Sequence, residues 1–102
     1  MQILKTSKFF IELEVIIDFI AQDSFNRAEI FKNGLDTKVN NLPNFPYKCR
    51  RSLKSNDKNV RDLIFSGYVI PYRVNEFKNI IEILGIFSEN EWTIYETISK
   101  EK

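Results

Sequence analysis

Apolar residues recur every three or four positions up to residue 42 and alternate around residue 70. That change of period constrains the chain more than any other feature, because helices and strands bury one face at different spacings. In the first half, Phe9, Leu13, Ile16, Ile17 and Ile20 form one helical stripe, with Glu12, Glu14 and Asp18 away from it. Ala28, Phe31, Leu35, Val39 and Leu42 form a second. Asp23 and Ser24 separate the two, and either side chain can accept an orphan N–H of the next helix. Thr6 and Ser7 can do the same for the first. Two amphipathic helices joined by a few residues predict an α-hairpin. Gly34 lies inside the second helix, where it costs roughly 1 kcal/mol against Ala or allows a close approach.

Gln2 to Lys5 precedes the hairpin as a short strand. Three more strands are predicted after it. Asn59 to Phe65 leads into Ser66-Gly67, a two-residue turn signal in which Gly supplies φ > 0. Tyr68 to Asn75 follows, with Tyr68, Ile70, Tyr72 and Val74 on one face; Pro71 within it predicts a bulge or a missing ladder bond. After a turn near residues 76–79, Ile80 to Phe87 is apolar on both faces except Glu82, which suits a central strand. Pro43 to Asp57 has no period and is read as a long loop. Residues 89–102, with Trp92, Ile94, Tyr95 and Ile98 at helical spacing, form a short C-terminal segment too short to stand alone as a helix. The expectation is an α+β fold, β-α-α-β-β-β, with the hairpin packed on a small, mainly antiparallel sheet. All 102 residues are read as one domain.

Composition excludes whole classes of chemistry. The chain has no His and one Cys, Cys49. A Ser–His or Cys–His pair and a four-ligand zinc site cannot be assembled, and no internal disulfide can form. No cofactor or metal is expected. The longest apolar run is far shorter than the roughly 20 residues of a membrane span, and no signal-peptide pattern opens the chain. The expected location is the cytoplasm, with no membrane contact. Net charge is +1, but residues 43–61 carry Lys48, Arg50, Arg51, Lys54, Lys58 and Arg61 against Asp57 alone. Such a block attracts nucleic acid or an acidic partner, or is a solvated loop.

Three stretches carry a family resemblance. The helix junction reads Asp18-Phe19-Ile20-Ala21-Gln22-Asp23-Ser24, with Ala28 and Phe31 beyond it. Asn41-Leu42-Pro43-Asn44-Phe45-Pro46 ends the helical half. The longest match runs from Asn59 through Val60-Arg61-Asp62 and Gly67-Tyr68 to Val74, followed by Ile80 to Phe87. Over roughly residues 3 to 90 the chain resembles the RelE/ParE superfamily of toxins from bacterial type II toxin–antitoxin systems, with the ParE-like branch favoured. The resemblance implies a toxin neutralised by a cognate antitoxin in a heteromeric complex. It also implies one of two targets. RelE-like members are ribosome-dependent mRNA interferases; ParE-like members inhibit DNA gyrase by direct binding, a role tied to plasmid stabilisation and growth inhibition. A third possibility is a degenerate relative that is no longer toxic.

The residues bear on that choice. RNA cleavage needs cations at the scissile phosphate to orient the ribose hydroxyl and stabilise the developing charge. RelE-type sequences place an Arg after the Gly-Tyr of the middle strand, where this chain has Val69. They place a basic cluster after the last strand, where it has Ser88, Glu89, Asn90 and Glu91. The gyrase reading assigns target contact to Arg50, Arg51, Arg61 and Trp92. The nuclease alternative would rest on Arg61, Arg73 and Tyr95. Each has a plain structural reading beside the functional one. Arg61 can form an ion pair with Glu82 or Glu76, Arg73 can sit on a solvated face, and Arg50 and Arg51 can belong to a wet loop. Trp92 can cap the core, Tyr68 and Tyr72 can be packing residues, and Cys49 can be an inert thiol.

Overall fold

In the computed structural model, residues 1–89 are described. Strand β1 (Gln2–Lys5) leads into helix α1 (Ser7–Asp23) and helix α2 (Phe25–Asn40). A 3-10 turn at Leu42–Asn44 follows, then β2 (Arg50–Arg51), β3 (Val60–Phe65), β4 (Tyr68–Asn75), β5 (Ile80–Ile83) and β6 (Phe87–Ser88). The α+β order read from the sequence is present, and the C-terminal segment from residue 90 lies outside the described residues.

Local chemistry fixes the helix ends. The Thr6 hydroxyl accepts from the Phe9 N–H at 3.1 Å and caps α1. It also donates to the Leu84 carbonyl at 3.2 Å, tying the helix start to the sheet. Ser24 alone joins the helices, a tighter junction than the sequence suggested. Its N–H closes α1 on the Ile20 carbonyl at 2.9 Å, and its hydroxyl opens α2 by accepting from the Arg27 N–H at 3.2 Å. Every residue of the second stripe, Ala28 through Leu42, is buried. Of the first stripe only Phe9 is fully buried; Leu13, Ile16, Ile17 and Ile20 are half-buried against the core. Glu12, expected to face away, turns back instead: its carboxylate accepts from the Ile86 N–H at 3.2 Å, meeting a backbone donor of the sheet's far end.

The strand order is β1-β5-β4-β3-β2, with β6 pairing β4 beyond the end of β5. All pairs are antiparallel except β1 with β5. The β3–β4 hairpin turns on Ser66 and Gly67, at φ 50° and 81°. Positive φ at both central residues matches the right-handed twist of the strands. Gly34 is a close approach: a Cβ there would lie 2.8 Å from the Phe65 ring, so its absence lets α2 settle onto β3.

The strand read as Ile80 to Phe87 is split into β5 and β6 at Leu84–Ile86. Tyr72 pairs Ile83, whereas Val69 pairs Phe87, so two residues of β4, Ile70 and Pro71, oppose three on the partner side, Leu84 to Ile86. This is the irregularity expected from Pro71. Its missing N–H lies on that side, while its carbonyl accepts from the Leu84 N–H at 2.9 Å. The helix-facing side of the sheet supplies Leu63, Ile70, Tyr72, Val74, Ile81 and Ile83 to the core. These pack against Phe9, Phe31, Leu35, Val39 and Leu42.

Candidate functional site

The long loop of the sequence reading is partly a strand. Arg50 pairs Asp62 and Arg51 pairs Arg61, so the basic block is fastened to the outer edge of β3. The fastening begins in the core. Tyr72 is fully buried and donates its hydroxyl to the Pro46 carbonyl at 2.7 Å. Burial, with the neighbouring Cys49 as the second cause, pushes the Tyr72 hydroxyl pKa well above its ordinary 10.0. The phenol therefore remains a donor throughout the physiological range. Tyr68 is half-buried, packed on the core with its ring 5.3 Å from Phe31. Both tyrosines are packing residues.

Arg61 is the second fastening. Its guanidinium donates to the Tyr47 and Cys49 carbonyls at 3.1 Å each and to the Lys58 carbonyl at 3.1 Å. It also lies 5.0 Å from the Tyr47 ring centroid. The ion pair with Glu82 or Glu76 considered from the sequence is not formed. Glu82 belongs to Arg73 instead, at 4.0 Å, and Arg73 also meets Asp57 at 3.6 Å. Both arginines of the nuclease alternative are thus engaged within the fold.

Arg50 and Arg51 are exposed. As neighbours on a strand they point to opposite faces. Arg50 Nε lies 3.5 Å from Asp62 Oδ2, and Arg51 donates to the Asn56 carbonyl at 3.4 Å. Asp62, only 4% exposed, also accepts the Leu53 N–H on Oδ2 at 3.3 Å. Its Oδ1 is buried with no hydrogen-bond partner. Beside it a cleft of about 620 Å³ opens between the end of α2 and the β3 edge, lined by Lys38, Lys48, Arg50 and Asp62 among others. The structure therefore gathers Arg50, Arg51 and Arg61 at one edge. Arg73 stands apart on β4, and Trp92 and Tyr95 lie outside the described residues. Cys49 is a half-buried free thiol.

A second feature went unread in the sequence. Ile11, Val15 and Phe19 are all exposed and sit four residues apart on α1, opposite its core-facing stripe. Their spacing was the available signal; the stronger stripe on the other face concealed it. Among the described residues no group of three or more His, Cys, Asp or Glu side chains is placed to hold a metal ion. No described helix is long and apolar enough to cross a membrane.

These features define a class: a small α+β protein with a helical hairpin on one sheet face, a basic sheet edge and an apolar outer helix face. A family model described as the ParE toxin of type II toxin–antitoxin system, parDE, matches residues 3–91. The chain belongs to that family. Among solved structures it is similar to one titled the chromosomal ParDE TA system from P. aeruginosa. The TM-score is 0.68 and the identity 22%, over 86% of this chain and 95% of that one. Likeness at that identity establishes the fold. The curated proteins contain no match.

Proposed function

We propose that the chain inhibits DNA gyrase by direct protein contact and is neutralised by an antitoxin that covers the apolar face of α1. The observation that carries the gyrase reading is the engagement of the cations that RNA cleavage would need. Arg61 is spent on three backbone carbonyls, and Arg73 on Asp57 and Glu82. Val69, where RelE-type sequences carry an Arg, is buried. Membership of the ParE family supports the same reading. The exposed pair Arg50 and Arg51 supplies the positive surface for an acidic protein target.

The antitoxin assignment rests on Ile11, Val15 and Phe19. A row of exposed apolar side chains on one helix face is the pattern that an amphipathic partner helix or extended chain fills. All 102 residues act as one toxin domain in this account, placed in the cytoplasm with its target. The test is induction of the chain in bacteria without antitoxin. Growth arrest with broken DNA and intact messenger RNA is expected. Site-specific mRNA cleavage would replace the reading with the interferase alternative, and unimpeded growth with that of a non-toxic relative.

A further inference from the structure

The most exposed large apolar residue among those described is Phe77, 98% open to solvent. It is the second residue of the four-residue turn, Glu76 to Asn79, that joins β4 to β5. The turn is held by other groups. The Glu76 carbonyl accepts from the Asn79 N–H at 3.2 Å, and Asn75 Oδ1 accepts from the Lys78 N–H at 2.9 Å. Asn79 takes a φ of 57°, which asparagine tolerates. Its carbonyl accepts from the Gln2 N–H at 3.1 Å, which fastens the turn to β1. The second position of a β-turn accepts most residue types. No bond of the turn therefore calls for a phenyl ring there. An aromatic side chain presented on a fixed backbone is, however, the form that binding anchors take.

A notch of about 310 Å³ opens beside the ring, lined by Tyr47, Asn59, Arg73, Asn75 and Glu76 as well as Phe77. Its charged side chains are matched within the fold. Arg73 is held by Asp57 and Glu82. Glu76 stands beside the Tyr47 hydroxyl, which donates to Asn59 Oδ1 at 3.4 Å; burial first and the Glu76 carboxylate second raise the Tyr47 pKa. Lys58 and Lys78 differ from these. They adjoin Asn59 and Phe77 in the chain, both are exposed, and neither has an ion-pair partner among the described residues. Two unpaired cations beside one aromatic anchor complement a protein surface with an apolar socket and an acidic rim. They are a weak match for nucleic acid, whose binding grows with the number of phosphates neutralised. The notch also adjoins the segment that carries Arg50 and Arg51, because the Tyr47 carbonyl is one of those that Arg61 holds.

We infer that Phe77 is the aromatic anchor by which the chain grips its protein target. The ring enters an apolar socket on that protein, and Lys58 and Lys78 meet carboxylates at the socket's rim. The inference rests on the reading that the target is gyrase, bound by direct contact, and adds to it a residue outside the basic edge.

The test compares variants of the full chain in gyrase supercoiling and in urea unfolding. Phe77→Ser should raise the concentration needed for half-inhibition at least about tenfold and leave the unfolding midpoint in place. Phe77→Trp should inhibit as wild type does. Phe25→Ser, which removes a ring 72% exposed at the start of α2, should also inhibit as wild type does. The double variant Lys58→Glu/Lys78→Glu should weaken inhibition about tenfold. Should Phe77→Ser fail to fold, that charge-reversal pair at two exposed positions decides. Inhibition by Phe77→Ser equal to that of wild type overturns the inference and leaves the gyrase reading standing. The turn then belongs to the antitoxin or to a second copy of the chain, which a pull-down and sedimentation of the same variant tell apart. Equal weakening by Phe25→Ser overturns it as well, as does a loss of inhibition that only tracks a lowered unfolding midpoint in both variants. A wild-type chain that leaves supercoiling unchanged overturns the gyrase reading itself, and this inference with it.

Discussion

Tyr72 and Arg61 do the same job from opposite environments, and their variants should behave differently. Tyr72→Phe keeps the buried ring and deletes one bond, leaving the Pro46 carbonyl without its phenolic donor. A loss of about 0.5–1.5 kcal/mol is expected in urea unfolding. The pH dependence has a fixed sign. The folded-state pKa of Tyr72 is raised, so the folded protein holds that proton more tightly than the unfolded chain does. Its contribution is complete below the unfolded tyrosine pKa of about 10 and is lost as pH climbs above that toward the folded value. Wild type should therefore lose more stability above pH 10 than Tyr72→Phe does; parallel alkaline titrations of the two would contradict the buried-donor account. Arg61→Ala removes three charge-assisted bonds to the loop carbonyls. Because Arg61 is partly exposed, a cost of about 1–3 kcal/mol is expected. Arg73→Ala breaks two ion pairs at a side chain 43% exposed and should cost about 0–1 kcal/mol. Equal losses in the two variants would show that Arg61 is an ordinary surface cation.

Helix α1 serves two faces, and the inner one is the weaker anchor. Only Phe9 is fully buried on it, yet Ile11, Val15 and Phe19 stand in solvent on the far side. Replacing any one of the three with Gln should shift stability by no more than about 0.5 kcal/mol, as for most surface changes. The triple variant should lose binding to the cognate antitoxin in a pull-down while its unfolding midpoint holds. Retained binding would move the antitoxin to another surface. Much of this element scale was legible beforehand. The caps, both helix stripes, the Ser66-Gly67 turn and the strand Tyr68 to Asn75 follow from spacing and side-chain chemistry, which act over a few residues. The rest depends on distant partners. β2 is two residues long and exists because Asp62 and Arg61 pair with it, so no local pattern announces it. The parallel pairing of β1 with β5 joins residues nearly eighty apart. Glu12 looked like a solvent residue because Ile86 and its N–H are invisible to helical periodicity. Arg61 was read as a target contact or an ion-pair partner of Glu82 or Glu76, whereas its partners in the fold are carbonyls, which sequence composition does not reveal.

At the scale of the molecule, one sheet separates two kinds of surface. The helix hairpin covers one face and turns apolar side chains outward, whereas the β2–β3 edge collects the +5 block of residues 43–61. A molecule of almost neutral total charge thus presents an apolar surface and a positive one in different places, which suits two different partners. The proposed target is gyrase, and the proposed contact is protein on protein. Purified full-length chain, titrated into a gyrase supercoiling reaction with and without ATP, tests it most directly. Loss of supercoiling with accumulation of cleaved DNA is expected, weakened when Arg50 and Arg51 are both replaced by Glu. Unchanged supercoiling at micromolar excess of folded protein would contradict it.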